Sequence, residues 1–211
     1  MKSLSRKISL IAMGLMCPVL VAQSAPVAPG PAAQRTFHDP VYRLSFEYPA
    51  DWKFARRDGE ISTFRLDARS AARTTQMRAV ASMPANPFPA STFSGAYLYF
   101  SVTPHTNGAA CARQAGPAAG GRPVQGGRGG QSEIAGASFA HGHDEQQAIC
   151  TVERDEIYTT LRHGACYRFD LAINTFCGGE VSGAKEIGEE ELDRVRERLT
   201  DILDTVRFDA K

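Results

Sequence analysis

Two long runs, "QQAICTVERDEIYTTLR" at 146–162 and "ACYRFDLAINTFC" at 165–177, are joined by His163-Gly164, and this junction limits the possible folds more than any other feature. Both runs are rich in β-branched and aromatic residues, as strands are. A two-residue hairpin turn of the primed type needs positive φ at both positions, which glycine accepts freely and histidine more often than most residues. With His163 and Gly164 as the turn, facing residues have numbers that sum to 327. Cys150 and Cys177 satisfy that sum, so they would face each other at the far end of the hairpin within disulfide reach. Two things keep the pairing open: its parity gives a hydrogen-bonded position, less favourable for a cross-strand disulfide, and a single bulge would shift the register. Cys166 is an odd number of residues from Cys177 and points to the other face, where it could meet Cys111. Connectivity cannot be read from sequence alone, and buried free thiols are the competing reading.

The start of the chain says where these cysteines would be oxidised. Lys2, Arg6 and Lys7 precede the apolar run "ISLIAMGLMCPVLVA" and the small-residue stretch Ala22-Gln23-Ser24, the order of a secretory signal peptide, expected as residues 1–24. Pro26 disfavours a cut after Ala25, and Met16 beside Cys17 fits a lipobox poorly. The run is short for a membrane span, and no membrane span is expected after cleavage. Of 211 residues, 187 remain once the first 24 are removed; three of the 24 basic residues leave with them, so 21 face 23 acidic ones. That balance gives no field for nucleic acid, and no nucleic-acid partner is expected. The four cysteines left, Cys111, Cys150, Cys166 and Cys177, are an even number in a chain expected to be periplasmic or secreted, so two disulfides follow.

A flexible leader is expected at 25–35 and a single domain at 36–211. Tyr42, Leu44, Phe46 and Tyr48 alternate with polar residues, a half-buried strand ending at Pro49, with Trp52 beyond it as a packing anchor. Ile61, Phe64 and Leu66 suggest a second strand. "ARSAARTTQMRAVASM" reads as a short basic helix or a loop, "STFSGAYLYFSVTP" as a strand stopped by Pro104, and "NGAACARQA" as a short helix. The glycine-rich 116–131 reads as a loop, and "SEIAGASFAHGHD" as a strand or hairpin. Leu192, Val195, Leu199, Ile202, Leu203 and Val206 recur at helical spacing, so 188–206 is an amphipathic helix with Glu189, Glu190 and Glu191 at its anion-favouring end. The expected class is α+β, an antiparallel sheet with flanking helices and a C-terminal amphipathic helix.

Candidate chemistry centres on "HGHDE". On a strand His141 and His143 project to one face, and Asp144 or Glu145 could add an oxygen ligand for a divalent metal; a polar hairpin tip is the plainer reading. "GASFA" has Ser138 where a nucleophile elbow would, but Ala140 replaces the final glycine and no helix follows. "GGRGG" at 126–130 carries one arginine, too few for an RNA-binding segment. No C-x-x-C pair and no phosphate-binding glycine loop occur, so no cofactor is implied. Glu153, Arg154, Asp155, Glu156, Arg168 and Asp170 read as a solvated, salt-bridged sheet face.

"YRLSFEYPADWKF", an aromatic strand ending in Tyr-Pro-x-x-Trp, resembles the start of PsbP-like domains, a superfamily that includes the extrinsic photosystem II subunit and the Ran-binding Mog proteins. "GACYRFDLAINTF" resembles the late hairpin strand of its bacterial secreted members, and "LTDILDTVRF" the closing helix and short last strand. The resemblance implies an α/β/α sandwich and a binding or assembly role. The metal and docking residues of the photosynthetic members have no recognisable counterparts here, so no site residue is carried over. The expected function is an exported, non-catalytic binding or assembly domain with an unknown protein or small-molecule partner in the cell envelope. The alternative is an exported hydrolase or metal-dependent enzyme using the His141/His143 region.

Overall fold

The computed structural model describes residues 33–56, 74–84, 86–116, 130–178 and 183–209. The expected signal peptide, the suggested strand at 61–66 and most of the glycine-rich stretch lie outside them. In chain order the elements are β1 (Gln34–Asp39), β2 (Leu44–Pro49), β3 (Lys53–Ala55), β4 (Gln76–Ser82) and β5 (Phe93–Thr103). They continue with α1 (Gly108–Arg113), β6 (Gly130–Ile134), β7 (Ala137–Ala148), β8 (Thr151–Arg162), β9 (Ala165–Phe176), α2 (Glu189–Asp204) and β10 (Arg207–Phe208). The strands form a seven-stranded antiparallel sheet in the order β3-β4-β5-β9-β8-β7-β6 and a three-stranded one in the order β1-β2-β10.

The β8–β9 hairpin has the register its turn predicts. Arg162 pairs with Ala165, Glu156 with Leu171 and Thr151 with Phe176, all summing to 327, with no bulge between. His163 and Gly164 both have positive φ, 49° and 73°. The S–S distance between Cys150 and Cys177 is 2.13 Å, and their Cα atoms are 4.7 Å apart. Cys166, on the other face, lies 1.97 Å from the sulfur of Cys111 on α1. Asn107 caps α1 by accepting from Ala110 N at 2.9 Å, an ordinary asparagine N-cap.

The main core lies between one face of the large sheet and a cover made of α2 and the small sheet. Phe100 and Phe169 stack at 4.9 Å in its centre, and Phe37 and Phe46 reach them from β1 and β2. Leu192, Val195, Leu199, Ile202 and Leu203 are the buried stripe of α2, as their spacing predicts, and the Glu191 carboxylate accepts from Gly188 N at 3.0 Å to close the helix start. Trp52 is buried in the same core. The short final strand β10 pairs with β2.

Three sequence expectations change. The first strand begins at Gln34, inside the stretch expected to be leader, because Phe37 and Asp39 supply buried groups that pair it with β2. In the described part of the basic stretch before Pro84 the chain is neither helix nor loop: Gln76–Ser82 forms β4, with Ala79, Val80 and Ala81 buried on both faces between β3 and β5. Such a strand lacks alternation, so its period is not visible. Finally, the supposed solvated face is split between the two sides of the sheet: Arg154 and Glu156 stay part-exposed, while Glu153, Asp155, Arg168 and Asp170 are buried, Arg168 at 2 % and Asp170 at 0 % exposure.

Candidate functional site

The His-Gly-His triplet owes its glycine to packing. Residues 141 and 143 face the α2 side of the sheet, so residue 142 faces the α1 side, where the chain leaving α1 presses on β7. A Cβ on Gly142 would sit 1.9 Å from the Ala115 carbonyl oxygen. Only glycine admits that approach, and its two neighbours are thereby held side by side on the opposite face.

On that face the β7–β8 register sets His143 opposite Glu156 and His141 opposite Tyr158. The His141 ring stacks on Tyr158 at 4.2 Å with the planes 7° apart, and His143 lies edge-on to His141 at 4.7 Å. The Glu156 carboxylate oxygen Oε2 is 3.5 Å from His141 Nε2 and accepts a hydrogen bond from the Tyr158 hydroxyl at 3.1 Å. One ligand atom each from His141, His143 and Glu156 falls within 4.8 Å of the others. His141 and Glu156 are part-buried. The imidazole of His141 holds the Glu156 carboxyl below its ordinary range, against the opposing effect of burial, with help from the Tyr158 hydroxyl and the charge of His143. Burial, then the adjacent Glu156 carboxylate, pushes the Tyr158 hydroxyl up, so it is a neutral donor over the whole working range.

Two of the three, His143 and Glu156, line a cleft of about 430 Å³ between the sheet and the first turns of α2. Leu171 and Ile173 of β9 form its apolar floor; Arg154 and Glu156 line the sheet side, Asp193 and Arg196 the helix side. Arg154 is held by Glu145 at 3.4 Å and by a hydrogen bond to Thr175 Oγ1 at 3.1 Å. Arg196 lies against Asp193 and Glu189 of its own helix. An apolar floor ringed by a few fixed charges is the usual make-up of a small-ligand site.

The oxygen donor differs from the sequence expectation. Asp144 cannot join the histidines because it points to the opposite face, where it is buried across from Asp155. Glu145 shares their face, but its carboxylate is engaged by Arg154. Glu156 comes instead from the neighbouring strand. Ser138 lies within β7, paired with Glu133 of β6, and no strand-to-helix turn presents it.

The opposite face is a second polar layer. Arg168 Nε donates to both Asp170 oxygens at 2.9 Å and its Nη1 to the Gln114 carbonyl at 3.0 Å, which ties the end of α1 to β9. Glu153, Asp155 and Asn174 are buried beside them. A fully desolvated, forked Arg–Asp pair is costly to break from one side.

No family model and no curated protein matches the chain. Solved structures do. The solution structure of cyanobacterial PsbP (CyanoP) from Synechocystis sp. PCC 6803 has a TM-score of 0.46 and 11% identity over 88% of this chain and 98% of that one. LpqN, involved in cell envelope biogenesis of Mycobacterium tuberculosis, has a TM-score of 0.44 and 8% identity over 84% of this chain and 91% of its own. A protein from Bacteroides thetaiotaomicron VPI-5482 has a TM-score of 0.44 and 13% identity over 83% of this chain and 48% of that one. With TM-scores below 0.5, these likenesses concern overall arrangement and assign neither ligand nor partner.

Proposed function

We propose that this chain is an exported, disulfide-bonded binding domain of PsbP-like α/β/α type, without a catalytic centre of its own. Its recognition surface is the cleft between β7–β9 and α2, taking a protein or small-molecule partner in the periplasm or cell envelope. The observation that carries this reading is the cleft itself: an apolar floor of Leu171 and Ile173 under Arg154, Arg196 and Glu156. Two cysteine pairs at bonding distance support an oxidising compartment. No helix among the described residues is long and apolar enough to cross a membrane.

The test is a capture experiment from the organism's own envelope with the exported protein and with an Arg154→Glu/Arg196→Glu variant. Both arginine side chains are partly exposed, 35 % and 32 %, and thermal melts establish that the variant folds as the parent does. A partner held by the parent and released by the variant supports the cleft. Equal capture by both, or none by either, overturns it. The second reading, a metal-dependent hydrolase, is favoured by the convergence of His141, His143 and Glu156, since three protein ligands leave a coordination position for water.

A further inference from the structure

We infer that His141, His143 and Glu156 bind one divalent transition-metal ion of the zinc class, with a fourth position open towards the cleft. This deepens the binding-domain reading by naming one ligand of the same face, and it rests on that face being the working one.

Four observations lead to it. In tetrahedral coordination with bonds of about 2.0–2.1 Å, neighbouring ligand atoms lie roughly 3.4 Å apart. The gap between His141 Nε2 and Glu156 Oε2 is 3.5 Å, already that edge. The remaining separations, within 4.8 Å, close by about 1.4 Å at most through side-chain rotation. Second, His141 Nε2 is buried and makes no hydrogen bond, with the Glu156 carboxylate oxygen 3.5 Å away. A buried ring nitrogen left without a hydrogen bond beside a carboxylate oxygen is what an ion would satisfy. Third, the site has the supporting contacts a metal centre requires. Tyr158 donates to the Glu156 oxygen and stacks on His141, so one side chain orients two ligands. Fourth, the close approach of Ala115 to Gly142 fixes the strand that carries both histidines.

The donor set selects the ion. Two imidazoles and one carboxylate suit Zn²⁺, Co²⁺, Ni²⁺ or Cu²⁺, whereas Ca²⁺ and Mg²⁺ require mostly oxygen. No covalent step is involved; the ion displaces water and any proton on the ligating nitrogens.

The test titrates Zn²⁺, by calorimetry, and Co²⁺, by visible absorption, into the exported protein after chelator treatment. The expected result is one ion per chain, with the Co²⁺ absorption of a four-coordinate site. Glu156→Gln should lower the affinity at least tenfold, and Tyr158→Phe by about 10–100-fold, because removing a supporting partner costs that much. His143→Gln should act as Glu156→Gln does. These variants keep side-chain volume, and thermal melts establish that they fold. Less than one equivalent bound by the parent, or unchanged affinity in Glu156→Gln and His143→Gln, overturns the site. Failure here is distinct from failure of the cleft: capture lost in the Arg154→Glu/Arg196→Glu variant but unaffected by chelator would leave the binding domain standing without its metal.

Discussion

Replacing Gly142 by alanine tests whether the His-Gly-His triplet is held by packing from behind. The added Cβ would lie 1.9 Å from the Ala115 carbonyl oxygen, well inside van der Waals contact. The obstacle is backbone, and it is tied down: Arg168 donates to the adjacent Gln114 carbonyl at 3.0 Å, and the Cys111–Cys166 bond fastens α1 to β9. Relief therefore needs a shift of β7 or of the α1 end, an overpacking cost of about 1–3 kcal/mol. Against this stands the stiffening of the unfolded chain, which at an unstrained site favours alanine by about 0.4–1 kcal/mol. The clash should win, with a lower urea midpoint at unchanged m and a fall in Tm of about 2–4 °C per kcal/mol lost. Gly130→Ala is the control, since its added Cβ meets nothing within 4 Å and its stability should hold or rise slightly. If Gly142→Ala were as stable as Gly130→Ala, the close approach of α1 to β7 would be wrong.

Other outcomes follow from the same contacts. Under native conditions a mild reductant followed by alkylation should label Cys150 and Cys177 well before Cys111 and Cys166, read by peptide mass mapping, because the second pair is 2 % and 0 % exposed. Removing Cys111–Cys166, whose ends are 55 positions apart in the chain, should cost about 4 kcal/mol in urea melts. Burial raises the Asp39 carboxyl, but hydrogen bonds from Arg78 and from Tyr42 and Val41 N–H outweigh it, so the folded value lies below 3.8. This contribution is present above the ordinary carboxylate range and disappears as pH falls through the depressed value. Asp39→Asn should therefore flatten the acid limb of stability against pH; an unchanged limb would contradict the role of this pair.

The β8–β9 hairpin was legible because its turn is written in residues with a known conformational reason. His163 and Gly164 set the register, and the register brought Cys150 to Cys177. The β7–β8 hairpin was not legible in the same way. Its turn, at Ile149 and Cys150, places positive φ on a cysteine, which no turn rule flags. Without that register Glu156 could not be set opposite His143, and the oxygen donor was sought among the sequence neighbours Asp144 and Glu145. The buried acids misled for a related reason. Alternation along β8 assigns Asp155 and Glu156 to opposite faces but cannot say that α1 and its disulfide exclude water from one of them. The α2 stripe was readable because one face alone is buried; β4 was not, because both are.

An anomalous difference map from crystals of the protein loaded with Zn²⁺ tests the working face most directly. One peak is predicted between His141, His143 and Glu156, at bonding distance from all three, with Tyr158 still donating to Glu156. A map with no peak there, or with peaks only at other surface histidines, would contradict it.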